Sequence, residues 1–190
     1  PLTRTGHDTT TEEPKRQENT KTQSELSKAT TSDHTLTSQS EPSTPDPAAD
    51  HTTRVFFVSL TDNGEIELRG VERKIGTDET PLASIVRALL AGPTASEERR
   101  NIISLIPKEV KLHQTAVQDS TAIIDLDQAF RFNSLGREGL LARLRQLVYS
   151  ATEIPTIDAV QILIDGDNVD YLGPEGLYIG KPLTRESFDS

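Results

Sequence analysis

The 190-residue chain contains no cysteine, no methionine and no tryptophan, and only 4% of its residues are aromatic. Without cysteine there is neither a disulfide framework nor a thiolate zinc site, and the redox compartment is left open. Without methionine, even at position 1, the chain is expected to be processed or truncated, with an N-terminal targeting or anchoring segment removed. No run approaches the roughly 18 apolar residues a membrane-crossing helix requires, and no signal-peptide hydrophobic region is present. Positive charge is also in deficit: 20 Lys and Arg against 30 Asp and Glu give a net charge of -10. That balance argues against nucleic acid or anionic lipid as the main partner, because both require a basic footprint.

What the chain does have is unevenly distributed. Every Val, Ile, Phe and Tyr lies after Arg54, whereas residues 1–53 hold 20 Ser or Thr and five Pro, with Leu2, Leu26 and Leu36 as their sizeable apolar side chains. Such a segment cannot bury enough surface to offset its ordering entropy, so residues 1–53 are expected to be a disordered tether. As a coil it would span about 40 Å, with a stretched limit of about 180 Å. That reach suits a stalk holding a domain away from a bilayer, with a transmembrane helix or lipid attachment ahead of it. Residues 54–190 are long enough to bury about two-thirds of their unfolded surface without staples.

The near-continuous run Val55, Phe56, Phe57, Val58 and Leu60 predicts a strand buried on both faces. Asp62, Asn63 and Gly64 turn it toward Ile66 and Leu68 in an antiparallel hairpin. The apolar parity then shifts to Val71 and Ile75, which predicts a bulge at Gly70. Thr80 and Pro81 open a helix with Leu82, Ile85, Val86, Leu89 and Leu90 on one stripe, closed by Gly92 and Pro93. Thr94 and Glu97 have capping-box spacing for a second, short helix.

Further on, Val110, Leu112, Ala116 and Val117 pair with Ala122, Ile124 and Leu126 in a hairpin turning at Gln118–Ser120, with Phe130 and Phe132 closing its end. A long helix carries Leu140, Leu141, Leu144, Leu147, Val148 and Ala151 on one face, with Arg137, Arg143 and Arg145 mostly off it. Val160, Ile162 and Ile164 form a last strand, turned at Asp165–Asn168 toward Val169 and Tyr171. Hairpins alternating with single helices predict an α+β fold, a mixed or antiparallel sheet with two main helices packed on one face.

Several segments together resemble the GerMN domain of sporulation and spore germination proteins. They are Leu90-Ala91-Gly92-Pro93-Thr94, Leu105-Ile106-Pro107, Thr121–Leu126, Gln146 to Glu153, Val160 to Gly166 and Pro182-Leu183-Thr184-Arg185. The resemblance implies a bacterial, extracytoplasmic protein, membrane- or lipid-anchored, acting in sporulation, germination or the cell envelope. It carries over no catalytic residue, and it implies a likeness to ring-building domains of sporulation channel assemblies. Gly92, Pro93 and Pro107 come across as shapers of chain reversals. Some family proteins hold two such domains in tandem, whereas this chain holds one.

The residues offer little chemistry. There is no Gly-x-Ser-x-Gly elbow, no His-Glu-x-x-His, no phosphate loop and no dinucleotide fingerprint. His7, His34 and His51 fall in the tether, leaving His113, an exposed strand residue or a catalytic base. Asp165, Asp167 and Asp170 begin like a calcium loop but lack its sixth-position glycine and terminal Glu, so a solvated turn competes with a weak Ca²⁺ site. Asp125, Asp127 and Glu138 could be the paired acids of a glycan hydrolase, or ordinary turn and helix-dipole residues. Asn19 and Asn133 are not glycosylation sequons. The expected function is thus a non-enzymatic binding or assembly module without cofactor, metal or catalytic residue. Its expected partner is an envelope protein or a second copy of itself. The alternative is a cell-wall ligand such as peptidoglycan, met by exposed Tyr171 and Tyr178.

Overall fold

The computed structural model describes residues 51–189 apart from Asp62, Asn133 and Leu135. The tether expected before residue 51, and the parts of the first turn and of the Asn133 motif that fall on those three residues, lie outside the described residues. The fold is α+β, as expected.

Strand β1 (His51–Leu60) pairs antiparallel with β2 (Ile66–Ile75), and β3 (Ile102–Ile103) joins the other edge of β1 at Val58 and Ser59. Residues 51–53, expected in the tether, belong to β1, because ladder pairing with Arg73, Lys74 and Ile75 needs no apolar side chain. The bulge expected at Gly70 is absent: the register runs unbroken from His51↔Ile75 to Leu60↔Ile66. The parity shift has another cause, since the covered face of the hairpin changes along its length. Val55, Phe57 and Ile75 face the main core, whereas Val58 and its partner Leu68 face the opposite way, into a groove beside Leu141 and Ala142. A Cβ on Gly70 would meet the Phe56 ring at 3.3 Å, so glycine leaves room for that ring to lie over the strand.

Helix α1 (Pro81–Ala91) begins as expected, with Thr80 accepting the Ala83 N–H and Pro81 in the first turn. It ends at Gly92, whose φ of 81° and ψ of -176° are open to glycine alone. Leu82, Ile85, Val86 and Leu89 are buried, each contributing about 1.5–3 kcal/mol. Helix α2 (Ala95–Glu98) carries both bonds of the expected capping box between Thr94 and Glu97.

The second sheet has the order β4-β5-β6-β7, made of β4 (Leu112–Gln118), β5 (Thr121–Leu126), β6 (Ala159–Ile164) and β7 (Asp167–Asn168). It is mixed: β5 is antiparallel to β4 but parallel to β6. The β4–β5 turn is Asp119-Ser120, both at positive φ. Ala116 and Val117, apolar residues of the expected hairpin, are both exposed, because β4 is an edge strand. A small third sheet joins β8 (Tyr171–Leu172) to β9 (Leu177–Tyr178).

Helix α3 (Gly136–Ala151) packs on β1, on α1 and on β6, so one core is shared by both larger sheets and both long helices. Phe57, Phe130, Leu89, Ile124, Leu147 and Ile162 are fully buried in it. Phe132 was expected to close the hairpin alongside Phe130, but it is 74% exposed. A 3-10 turn over Gln128–Arg131 puts Phe130 inward, and the chain leaves that turn extended at Phe132. Among the described residues no helix is long and apolar enough to cross a membrane.

Candidate functional site

The residues singled out by sequence for catalysis or metal binding do not gather into one cleft. His113 is exposed on β4 and sits 3.0 Å from Asp165 Oδ1, a pairing the sequence does not announce. Asp165 and Gly166, at φ of 51° and 86°, form the tight turn between β6 and β7. Asp167 lies in β7, and the Asp170 carbonyl accepts the Ile179 N–H. Among the described residues no group of three or more His, Asp or Glu side chains is placed to hold a metal ion. Asp125 is buried, and its Oδ1 accepts the Gly166 N–H at 2.8 Å, which ties the β5 strand to the β6–β7 turn. Asp127 precedes the 3-10 turn and Glu138 is exposed in the first turn of α3.

The buried polar residues instead hold the frame. Along α3, Arg143, Gln146 and Ser150 share one side at the i, i+3, i+7 spacing, and all three are buried. Arg143, expected off the buried face, is only 3% exposed. Its Nε donates to the Leu105 carbonyl, and its Nη1 donates to the Phe130 and Phe132 carbonyls at 2.7 and 2.6 Å. Burial pushes its pKa down from the usual arginine value. Gln146 accepts the Leu105 N–H and donates to Ser104 Oγ, while Ser150 accepts the Phe56 N–H and donates to the Gln146 carbonyl. The signal available in the sequence was this polar stripe beside the apolar one, which periodicity of apolar residues alone discards.

One ion pair is similarly structural. Arg73 forks onto Glu97 at 2.8 and 2.6 Å, and Glu97 also accepts the Thr94 N–H. The Arg73 hydrogen bonds hold the Glu97 carboxyl down to about 2 against the burial that would raise it.

Two surfaces stand out for binding. A groove of about 610 Å³ lies between the β1–β2 hairpin and α3, with Val58, Leu68, Leu141 and Ala142 lining it and Arg137 and Arg145 among its charged residues. Leu60 and Ile66, partners at the tip of that hairpin, are 48% and 38% exposed. Elsewhere Tyr171 and Tyr178 face solvent side by side across β8 and β9, with ring centroids 5.5 Å apart.

Comparison with known proteins gives a consistent picture. A family model described as Germane, sporulation and spore germination, matches residues 54–170. The structure of a candidate lipoprotein from Clostridium perfringens is similar, with a TM-score of 0.52 and 27% identity over 72% of this chain and 89% of that one. The tandem GerMN domains of the sporulation protein GerM from Bacillus subtilis match with a TM-score of 0.61 and 18% identity, covering 78% of this chain and 50% of the tandem. The first GerMN domain of the same protein matches at 0.53 and 14% identity, covering 72% of this chain and 98% of that one. No curated protein matches the chain.

Proposed function

The chain belongs to the Germane family of sporulation and spore germination domains, and we propose that it is the non-catalytic binding or assembly module of a membrane-anchored bacterial envelope protein. The observation that carries this reading is the family match over residues 54–170. The geometry agrees with it. The buried polar side chains Asp125, Arg143, Gln146 and Ser150 bond to backbone groups, and Glu97 is held by the Arg73 side chain. The apolar hairpin tip and its groove are among the features that face outward.

Anchoring is part of the same reading. The likeness to a candidate lipoprotein supports attachment through an N-terminal lipid or helix ahead of a Ser, Thr and Pro-rich tether that ends where β1 begins at His51, with the folded domain that follows outside the cytoplasmic membrane. The partner is a second copy or another envelope protein, and the groove beside Leu60 and Ile66 is where it would seat.

Sedimentation of the 190-residue chain over a wide concentration range tests the reading. A mass that rises with concentration supports self-assembly. A monomer throughout, with no envelope protein captured by crosslinking in cells, would overturn it. A second reading, a cell-wall glycan or peptide ligand, is favoured by the exposed Tyr171–Tyr178 pair, whose rings offer an apolar platform rimmed by hydroxyls. Retention of the chain on purified cell wall, lost in Tyr171→Ala, would establish it.

A further inference from the structure

A second cleft, of about 430 Å³, opens where the loop after β3 meets the start of α3, and Ser104, Lys108, Phe132 and Arg143 are among its lining residues. Its chemistry is unusual for an acidic chain. Arg143 is a buried cation, yet among the described residues no carboxylate lies within ion-pair distance of it. Buried charges are ordinarily paired, because a lone one bears the full cost of desolvation. The Phe130 ring lies 5.7 Å from the Arg143 guanidinium, and Nε and Nη1 are taken by three carbonyls. Nη2 makes no hydrogen bond to a described residue, and it is the donor that remains for the cleft.

Ser104 adds a second donor. Its Oγ accepts the Ile106 N–H and the Gln146 Nε2, both at 3.2 Å, so its lone pairs are used and its own proton is free to donate. Lys108 is exposed at the rim, and Phe132, 74% exposed, provides an apolar wall. Donors and charge on one side with an aromatic ring on the other fit an anion attached to an apolar group. With a net chain charge of -10, a monoanion is repelled less than a dianion, which favours carboxylate over phosphate.

We propose that this cleft binds a carboxylate borne by a peptide, with Arg143 Nη2 and Ser104 Oγ donating to it, Lys108 supplying a second positive charge and Phe132 packing on the residue beside it. The carboxylate could come from a chain terminus or from an acidic side chain, and the shared chemistry is what the site selects. The inference stands apart from self-assembly through the hairpin groove, which lies on other residues.

The test is a two-dimensional NMR titration of the 190-residue chain with three probes. N-acetyl-phenylalanine presents a terminal carboxylate, N-acetyl-phenylalanyl-glutamate amide presents a side-chain carboxylate, and N-acetyl-phenylalanine amide presents none. The expected result is a saturable shift of the Arg143 Nε–H and Phe132 signals with either acid and not with the amide. Affinity should fall about fivefold in Phe132→Ala and severalfold in Lys108→Ala, both surface changes that leave the fold intact. Whichever acid binds more tightly identifies the source. An equal response to the amide, no saturable shift with either acid, or binding unchanged in both variants would overturn the proposal.

Discussion

Ser150 Oγ accepts the backbone N–H of Phe56 at 2.8 Å, so a helix hydroxyl stands where the edge of β1 has no strand partner. β3 covers that edge only at Val58 and Ser59, and α3 continues where β3 stops. The same hydroxyl donates to the Gln146 carbonyl, leaving Ser150 satisfied inside the core.

Ser150→Ala should therefore cost about 1–3 kcal/mol, because it strands a partly buried amide rather than removing a surface contact. Urea unfolding measures it. A loss under about 0.5 kcal/mol would mean that water replaces the hydroxyl.

The Arg73–Glu97 pair makes stability depend on acid. Glu97 has its pKa lowered from 4.5 to about 2 in the folded chain, chiefly by the Arg73 hydrogen bonds. Its contribution is fully present above the unfolded value and is lost as pH falls from about 4.5 through about 2. The loss should amount to about 3 kcal/mol, and Glu97→Gln should flatten the unfolding free energy across that window. An unchanged pH slope in the variant would place the acid sensitivity elsewhere.

Gly92→Ala isolates a backbone cost. A Cβ there would meet nothing within 4 Å, so the φ of 81° with ψ of -176° is the whole penalty. A destabilisation of about 1–3 kcal/mol is expected by thermal unfolding. A neutral substitution would show that the α1–α2 junction relaxes freely.

The hairpin tip can be separated from the fold. Leu60→Ser with Ile66→Ser removes two exposed apolar side chains that partner each other. Stability should change by less than about 1 kcal/mol while any rise of mass with concentration disappears. Association that survives both changes would direct attention away from this surface.

Much of the frame was legible because its signals are local. Thr80 with Pro81 and Thr94 with Glu97 each fix a few dihedrals and do in the structure what their spacing implies, whereas the turn expected over Asp165–Asn168 is tighter, because Asp167 and Asn168 already pair with β6 as β7. What escaped was decided between distant segments. The apolar shift past Gly70 looks like a bulge from within β2, yet it records which side of the hairpin meets α1 and which meets α3. Arg143 on a helix ordinarily means solvent, and only the carbonyls of Leu105, Phe130 and Phe132, brought in by two other segments, make its burial tolerable. The His113–Asp165 contact likewise joins residues 52 positions apart.

β5 and β6 are parallel neighbours, and the chain between them must travel through α3 before the second can dock. Closing a connection of that length, from residue 127 to residue 158, costs about 3 kcal/mol of chain entropy before any strand pairing offsets it. The β1–β2 hairpin closes over residues 61–65 alone and can form in microseconds. Loop-closure entropy thus favours an early hairpin and a later pairing of β6 with β5. Until β6 docks, the edge of β5 away from β4 stands as a row of unpaired backbone groups, open to any other extended chain that reaches it first.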